Sequence, residues 1–254
     1  GDALASGGNY NVFIGEEAGT GITVSDDNVA IGYNAFFRST TQADKNVAIG
    51  SNAMSGNNLT ADCDSCVVIG YDALSGTLHT DADGTIAIGH QAGKAITSGI
   101  GNVAVGAYAL DAEDDGDYNT AVGHQALTAQ TGTSGETANT AVGYQSGTAI
   151  TTGTYNTAIG ESSLIAETIG QNTTVVGVDG FGSQVMASAH VSGNTGVGAG
   201  VGYYNVTGRN NTIMGYHAGL GASGQSNSNN TAVGASALLS ITDGGENVAI
   251  GNAT

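Results

Sequence analysis

Five carboxylates fall within seven residues at Asp111, Glu113, Asp114, Asp115 and Asp117. Hard oxygen ligands gathered in one loop suit Ca²⁺, and these five are weak candidates for such a site. Neither the EF-hand spacing nor the nonapeptide Ca²⁺ repeat is present, so a solvated acidic face is the competing reading. Smaller acidic groups recur earlier, at Asp62 with Asp64 and at Asp81 with Asp83. Cys63 and Cys66 form a CxxC, but no second pair completes a zinc site and no βαβ pattern surrounds it. A local disulfide between them, or two inert thiols, is the simpler reading. Among the histidines His79, His90, His124, His190 and His217, only His90 and His124 share a repeat position, and Ala107 separates them. That column reads as a polar, ring-bearing surface. The Gly-rich run 196–202 lacks the Lys and helix of a phosphate loop. No nucleophile motif or recurring Ser/His/Asp set is found, so the expectation is a protein that is not an enzyme.

What must position these residues is a repeat. A glycine closes a short phrase of the type Asn-Thr-Ala-Val-Gly fourteen times, at Gly15, Gly32, Gly50, Gly70, Gly89, Gly106, Gly123, Gly143, Gly160, Gly177, Gly198, Gly215, Gly234 and Gly251. Successive glycines are 17–21 residues apart. A near-fixed period of this size marks a solenoid.

Counting from each glycine, position −1 is β-branched in thirteen of fourteen copies and −2 is Ala in nine. Position −3 is Val or Ile in six copies, Thr in seven and Val in the last, while −4 is Asn in eleven. Alternation with period two makes this a strand of four or five residues. Positions −1 and −3 share one face, expected to be the inner one. A threonine column pointing outward would invite an ice-binding reading, and the expected inward placement argues against it. The glycine then requires positive φ or close backbone approach. Ala at +3 in nine copies, with Leu, Phe or Met at +4 in eight and Gly in five, predicts a second strand or corner that refills the core. The expected fold is all-β, a parallel β-solenoid (β-roll or β-helix) of about fourteen coils, forming one array over 1–254 without separate caps. The −4 asparagines should stack as an amide ladder.

The phrases "NVAIG" and "NTAVGYQSG" resemble head repeats of trimeric autotransporter adhesins. They are also similar to repeats of tail-fibre-like proteins of phage and environmental origin. The resemblance implies a β-roll, a trimer and a surface that binds a host glycan or receptor. The adhesin coils are shorter, near fourteen residues, than the steps of 17 and more found here.

Composition narrows the partners. Four Lys and Arg against 22 Asp and Glu give a net charge of −18, which disfavours phosphate neutralisation and attraction to anionic membranes. No apolar run approaches the ~20 residues of a membrane span. The terminal copies carry no obvious cap, which is expected of a fragment or of ends that pair with a neighbour. These features predict an extracellular or cell- or virion-surface structural protein that self-assembles into a fibre, end to end or laterally. The alternative is an adhesin or tail-fibre shaft binding a cell-surface glycan. No cofactor beyond weak Ca²⁺, no nucleic acid and no membrane insertion are expected.

Overall fold

The computed structural model describes residues 8–37, 43–56, 63–76, 82–132, 135–186 and 191–254. These residues are all-β, and the chain divides into two compact units, Gly1–His124 with Thr131–Glu136, and Gln125–Gln130 with Thr137–Thr254. The first unit holds β1 (Val12–Ile14), β2 (Val29–Ile31), β3 (Val47–Ile49), β4 (Val67–Ile69), β5 (Ile86–Ile88), β6 (Val103–Val105), β7 (Gly116–Asp117), β8 (Thr120–Val122) and β9 (Gly135–Glu136). The second holds β10 (Thr140–Val142), β11 (Thr157–Ile159), β12 (Thr174–Val176), β13 (Thr195–Val197), β14 (Thr212–Met214), β15 (Thr231–Val233) and β16 (Val248–Ile250).

Within each unit, consecutive repeat strands pair in parallel, residue for residue, so −3 faces −3 and −1 faces −1. Both units are therefore parallel β-solenoids, as the repeat predicts. The short strands β7 and β9 add a separate parallel pair at the acidic loop.

The inner and outer faces are the reverse of expectation. Alanines at −2 (Ala30, Ala48, Ala104, Ala141, Ala232) are fully or almost fully buried, as are asparagines at −4 such as Asn46, Asn102, Asn139 and Asn211. Positions −1 and −3 are half-buried or exposed in every repeat strand. The physical reason is space. The buried +4 side chains, such as Phe36, Leu74, Leu110 and Phe181, already fill much of the lumen, so the strands present their mostly smaller −2 and −4 side chains to it and turn −1 and −3 outward.

The buried asparagines form the expected ladder with a specific double role. Each side-chain oxygen accepts the backbone N–H of the next −4 residue, as for Asn46 N to Asn28 Oδ1 at 2.9 Å and Asn211 N to Asn194 Oδ1 at 2.9 Å. Each amide nitrogen donates to a carbonyl of the next coil, as for Asn139 Nδ2 to the Gly153 oxygen at 2.6 Å. Each asparagine thus satisfies two buried backbone groups that the three-residue strand leaves over.

The repeat glycine meets both of its anticipated constraints. Its φ lies between 128° and 147° in all fourteen copies, and a Cβ on Gly50 would stand 2.5 Å from the Gly70 carbonyl oxygen. After it the chain turns rather than forming a second strand. Position +4 is left-handed, with φ between 44° and 53° at Phe36, Met54, Leu74, Leu110, Leu127, Leu164, Phe181 and Leu238. That explains both alternatives there. Glycine adopts the conformation freely, Leu, Phe and Met, which do not branch at Cβ, tolerate it, and β-branched residues do not. Where +4 is Gly93 or Gly147, the volume is returned three residues later by buried Ile96 and Ile150. Where +4 is Leu110 or Leu164, position +7 is instead a buried Glu113 or Glu167.

Candidate functional site

Three regions offer more than packing. The first is the outward sheet face. In unit two Thr140, Thr157, Thr174, Thr195, Thr212 and Thr231 stand in one register beside Val142, Ile159, Val176, Val197, Met214 and Val233. In unit one both columns are aliphatic from Val12 to Val105, until Thr120. Exposure is 48% at Met214 and 71% at Ile250, both large apolar side chains. Pairing brings neighbouring strands ~4.8 Å apart, so each column is a continuous stripe rather than scattered residues. A contiguous, partly exposed apolar stripe makes this face a candidate docking surface.

The second region is the acidic loop. Its five candidates do not act alike. Glu113 is fully buried, Asp114 is exposed and Asp115 lies between. One carboxylate oxygen from each of these three lies within 4.8 Å of the others. Glu113 Oε1 accepts the backbone N–H of Asp114 at 3.0 Å and of Gly116 at 2.7 Å. Its Oε2 is buried without a hydrogen-bond partner, as is Asp111 Oδ1. Burial pushes the Glu113 carboxyl above its ordinary range, and the Asp114 charge adds to this against the pull of the backbone N–H groups of Gly116, Asp114 and Asp115. Burial raises Asp111 as well, with Lys94 opposing. Asp117 serves the stack instead, accepting the Ile100 N–H at 2.9 Å. Asp64 and Asp83 also cap backbone, Asp64 Oδ1 receiving Asp44 N at 2.6 Å and Asp83 Oδ1 receiving Asp64 N at 2.7 Å. Asp62 and Asp81 lie outside the described residues.

The third is an aromatic notch in unit two, a cavity of about 470 Å³ lined by Val178, Asp179, Ala199, Gly200, Tyr203, Tyr204, Tyr216, His217 and Leu220. Position +2 is left-handed in all fourteen copies and carries a side chain in thirteen. Only Gly200 leaves it bare, and with Ala199 before it the coil lacks the polar rim seen elsewhere. Tyr216 and His217 stack with ring centroids 3.9 Å apart, while Tyr203 and Tyr204 meet edge to face at 4.9 Å. Sequence reasoning passed over this site. Its signal was the glycine at Gly200 in a column that carries a side chain in the other thirteen copies.

The remaining candidates are structural in their contacts. His90 lies between Tyr71 and Tyr108, at centroid distances of 5.4 and 5.1 Å, and His124 continues the run at 6.0 Å from Tyr108. Tyr108 at +2 bridges the gap that Ala107 leaves at +1. His79 and His190 lie outside the described residues. Cys63 and Cys66 are free thiols, fully buried, with sulfurs 3.0 Å apart. Cys66 occupies the asparagine position, and its sulfur reaches the Ala82 carbonyl at 3.3 Å in place of an amide. The adjoining Cys66 thiol and burial push the Cys63 thiol well up, which keeps it protonated and a poor nucleophile.

No family model, curated protein or solved structure matches the chain. No helix among the described residues is long and apolar enough to cross a membrane.

Proposed function

We propose that the chain is a non-enzymatic, extracellular structural subunit that self-assembles into a fibre through the outward face of its strands. The observation that carries this reading is the in-register column at −1, which places aliphatic side chains or Met214 on the outer face in both units, half-buried or exposed, beside a −3 column that is mostly aliphatic in unit one and mostly threonine in unit two. A second copy supplies a matching row of side chains at the same coil spacing, so two such faces interdigitate with a common period. The acidic composition, with a net charge of −18, keeps the remaining surface soluble and limits association to this face.

Electron microscopy and mass measurement on purified protein test the proposal. Filaments or a stable oligomer are expected, with loss of assembly when Ile49 and Val142 are both changed to Lys at unchanged circular dichroism. Monodisperse monomers at high concentration overturn it. Thermal hysteresis measured on the same samples tests whether the outward threonine column of unit two faces ice instead.

A second reading, an adhesin or tail-fibre shaft that binds a host glycan, draws on the notch at Tyr203, Tyr204, Tyr216 and His217. Exposed aromatic faces suit the polarised C–H groups of a sugar, and Asp179 offers a hydroxyl acceptor. A glycan-array signal lost in Tyr216→Ala and in Gly200→Ser, together with a trimeric mass, favours that reading over the fibre.

A further inference from the structure

The stack contains two buried glutamates at the same repeat position, and only one of them is satisfied. Glu167 Oε1 accepts backbone N–H groups from Thr168, Ile169 and Gly170 at 2.9, 3.2 and 2.7 Å. Its Oε2 accepts the Gln184 amide at 2.8 Å. Glu113 repeats the first arrangement on Asp114 and Gly116 but leaves Oε2 buried with no partner. Where Glu167 is followed by Thr168 and Ile169, Glu113 is followed by Asp114 and Asp115. A buried carboxylate with one oxygen unpartnered is destabilising unless its charge is neutralised, and two adjacent acids aggravate this.

We infer that Glu113, Asp114 and Asp115 hold a divalent cation of the hard, oxygen-coordinated class that Ca²⁺ represents. Ligand oxygens of one Ca²⁺ ion, each 2.3–2.6 Å from it, lie within about 5 Å of each other. The three carboxylates meet that limit, since their nearest oxygens lie within 4.8 Å of one another. The Gly132 backbone packs directly against the group, and a Cβ there would meet Glu113 Oε1 and stand 2.8 Å from Asp115 Oδ1, so the position next to these two oxygens tolerates no side chain. Two of the four buried, unpartnered side-chain atoms among the described residues, Glu113 Oε2 and Asp111 Oδ1, fall in this one loop. Such atoms are rare in folded proteins and call for a missing partner. A proton would satisfy Glu113 alone, whereas a cation neutralises all three acids together.

Calorimetric titration of the full chain with CaCl₂, in enough NaCl to screen diffuse counterion binding, tests the site. One binding event per chain is expected, with a rise in melting temperature on Ca²⁺ addition. Glu113→Gln retains an oxygen for the Asp114 and Gly116 N–H groups and should fold; it is expected to weaken Ca²⁺ about tenfold or more and to abolish the thermal shift. Asp115→Asn, at a half-exposed position, should weaken binding independently of any folding defect. Asp44→Asn, an acid in another loop, should leave binding unchanged. Absence of both heat and thermal shift overturns the inference, and so does equal affinity in wild type and Glu113→Gln. Stabilisation by lower pH without any response to Ca²⁺ assigns the buried carboxyl a proton instead and also overturns it.

Discussion

The two units build the same coil and dress it differently. Inside, both use mostly asparagine at −4, mostly alanine at −2 and glycine at the corner, and the ladder distances agree, 2.9 Å for Asn46 N to Asn28 Oδ1 and 2.9 Å for Asn156 N to Asn139 Oδ1. Outside they diverge. Position −3 is aliphatic from Val12 to Val103 in unit one and threonine from Thr140 to Thr231 in unit two. Asp26, Asp44, Asp64 and Asp83 form a capping column in unit one, where unit two places Thr154, Gln171, Ser192, Arg209 and Ser228. The difference teaches that coil closure is an interior property. Residues that cap, fill and turn the lumen are nearly fixed, while the outward strand positions are free to be rewritten as the surface requires.

The largest effect should be indifferent to unit. Gly50→Ala and Gly143→Ala would each drive a Cβ to 2.5 and 2.7 Å from the next coil's carbonyl oxygen at positive φ. Each is expected to destabilise by about 3 kcal/mol or more. Thermal melting followed by circular dichroism checks this, and a mild effect in one unit alone would break the common-coil account.

The asparagine ladder comes next. Asn46→Ala and Asn211→Ala each orphan a backbone N–H and a carbonyl, with an expected loss of about 2 kcal/mol in either unit by denaturant titration. A smaller, unit-one effect concerns pH. The Glu113 carboxyl is raised in the folded chain, so the native state holds its proton above the pH at which the unfolded chain releases it. Stability from this group is therefore present below the ordinary glutamate range and is lost as pH rises through the raised folded value. In metal-free buffer, wild type should lose stability across that window relative to Glu113→Gln, which lacks the slope. The smallest effect is at the surface. Val47→Thr and Thr157→Val exchange the two outer faces and should each change stability by less than about 1 kcal/mol, yet alter assembly measured by light scattering.

Much of this was legible because the chain repeats. Period, strand position, the glycine corner and the asparagine ladder all follow from residues that recur at fixed offsets. The direction of the strand faces was not legible, since alternation separates two faces without saying which one is enclosed. Branched residues at −1 and −3 look like core, and only the closed coil, filled by its +4 side chains, shows alanine and asparagine to be the inner pair. The acidic loop was visible as composition, but composition could not tell Glu113, buried and unpartnered, from Asp117, which caps Ile100. The notch at Gly200 needed three coils brought side by side.

The sequence by itself determined a parallel stack in register, because identical residues at equal spacing satisfy one another best when each coil lies on its like. Tertiary structure alone decided which side of each strand meets water and which carboxylate is stranded inside. Both depend on enclosed volume, a property of the closed coil that no single repeat carries.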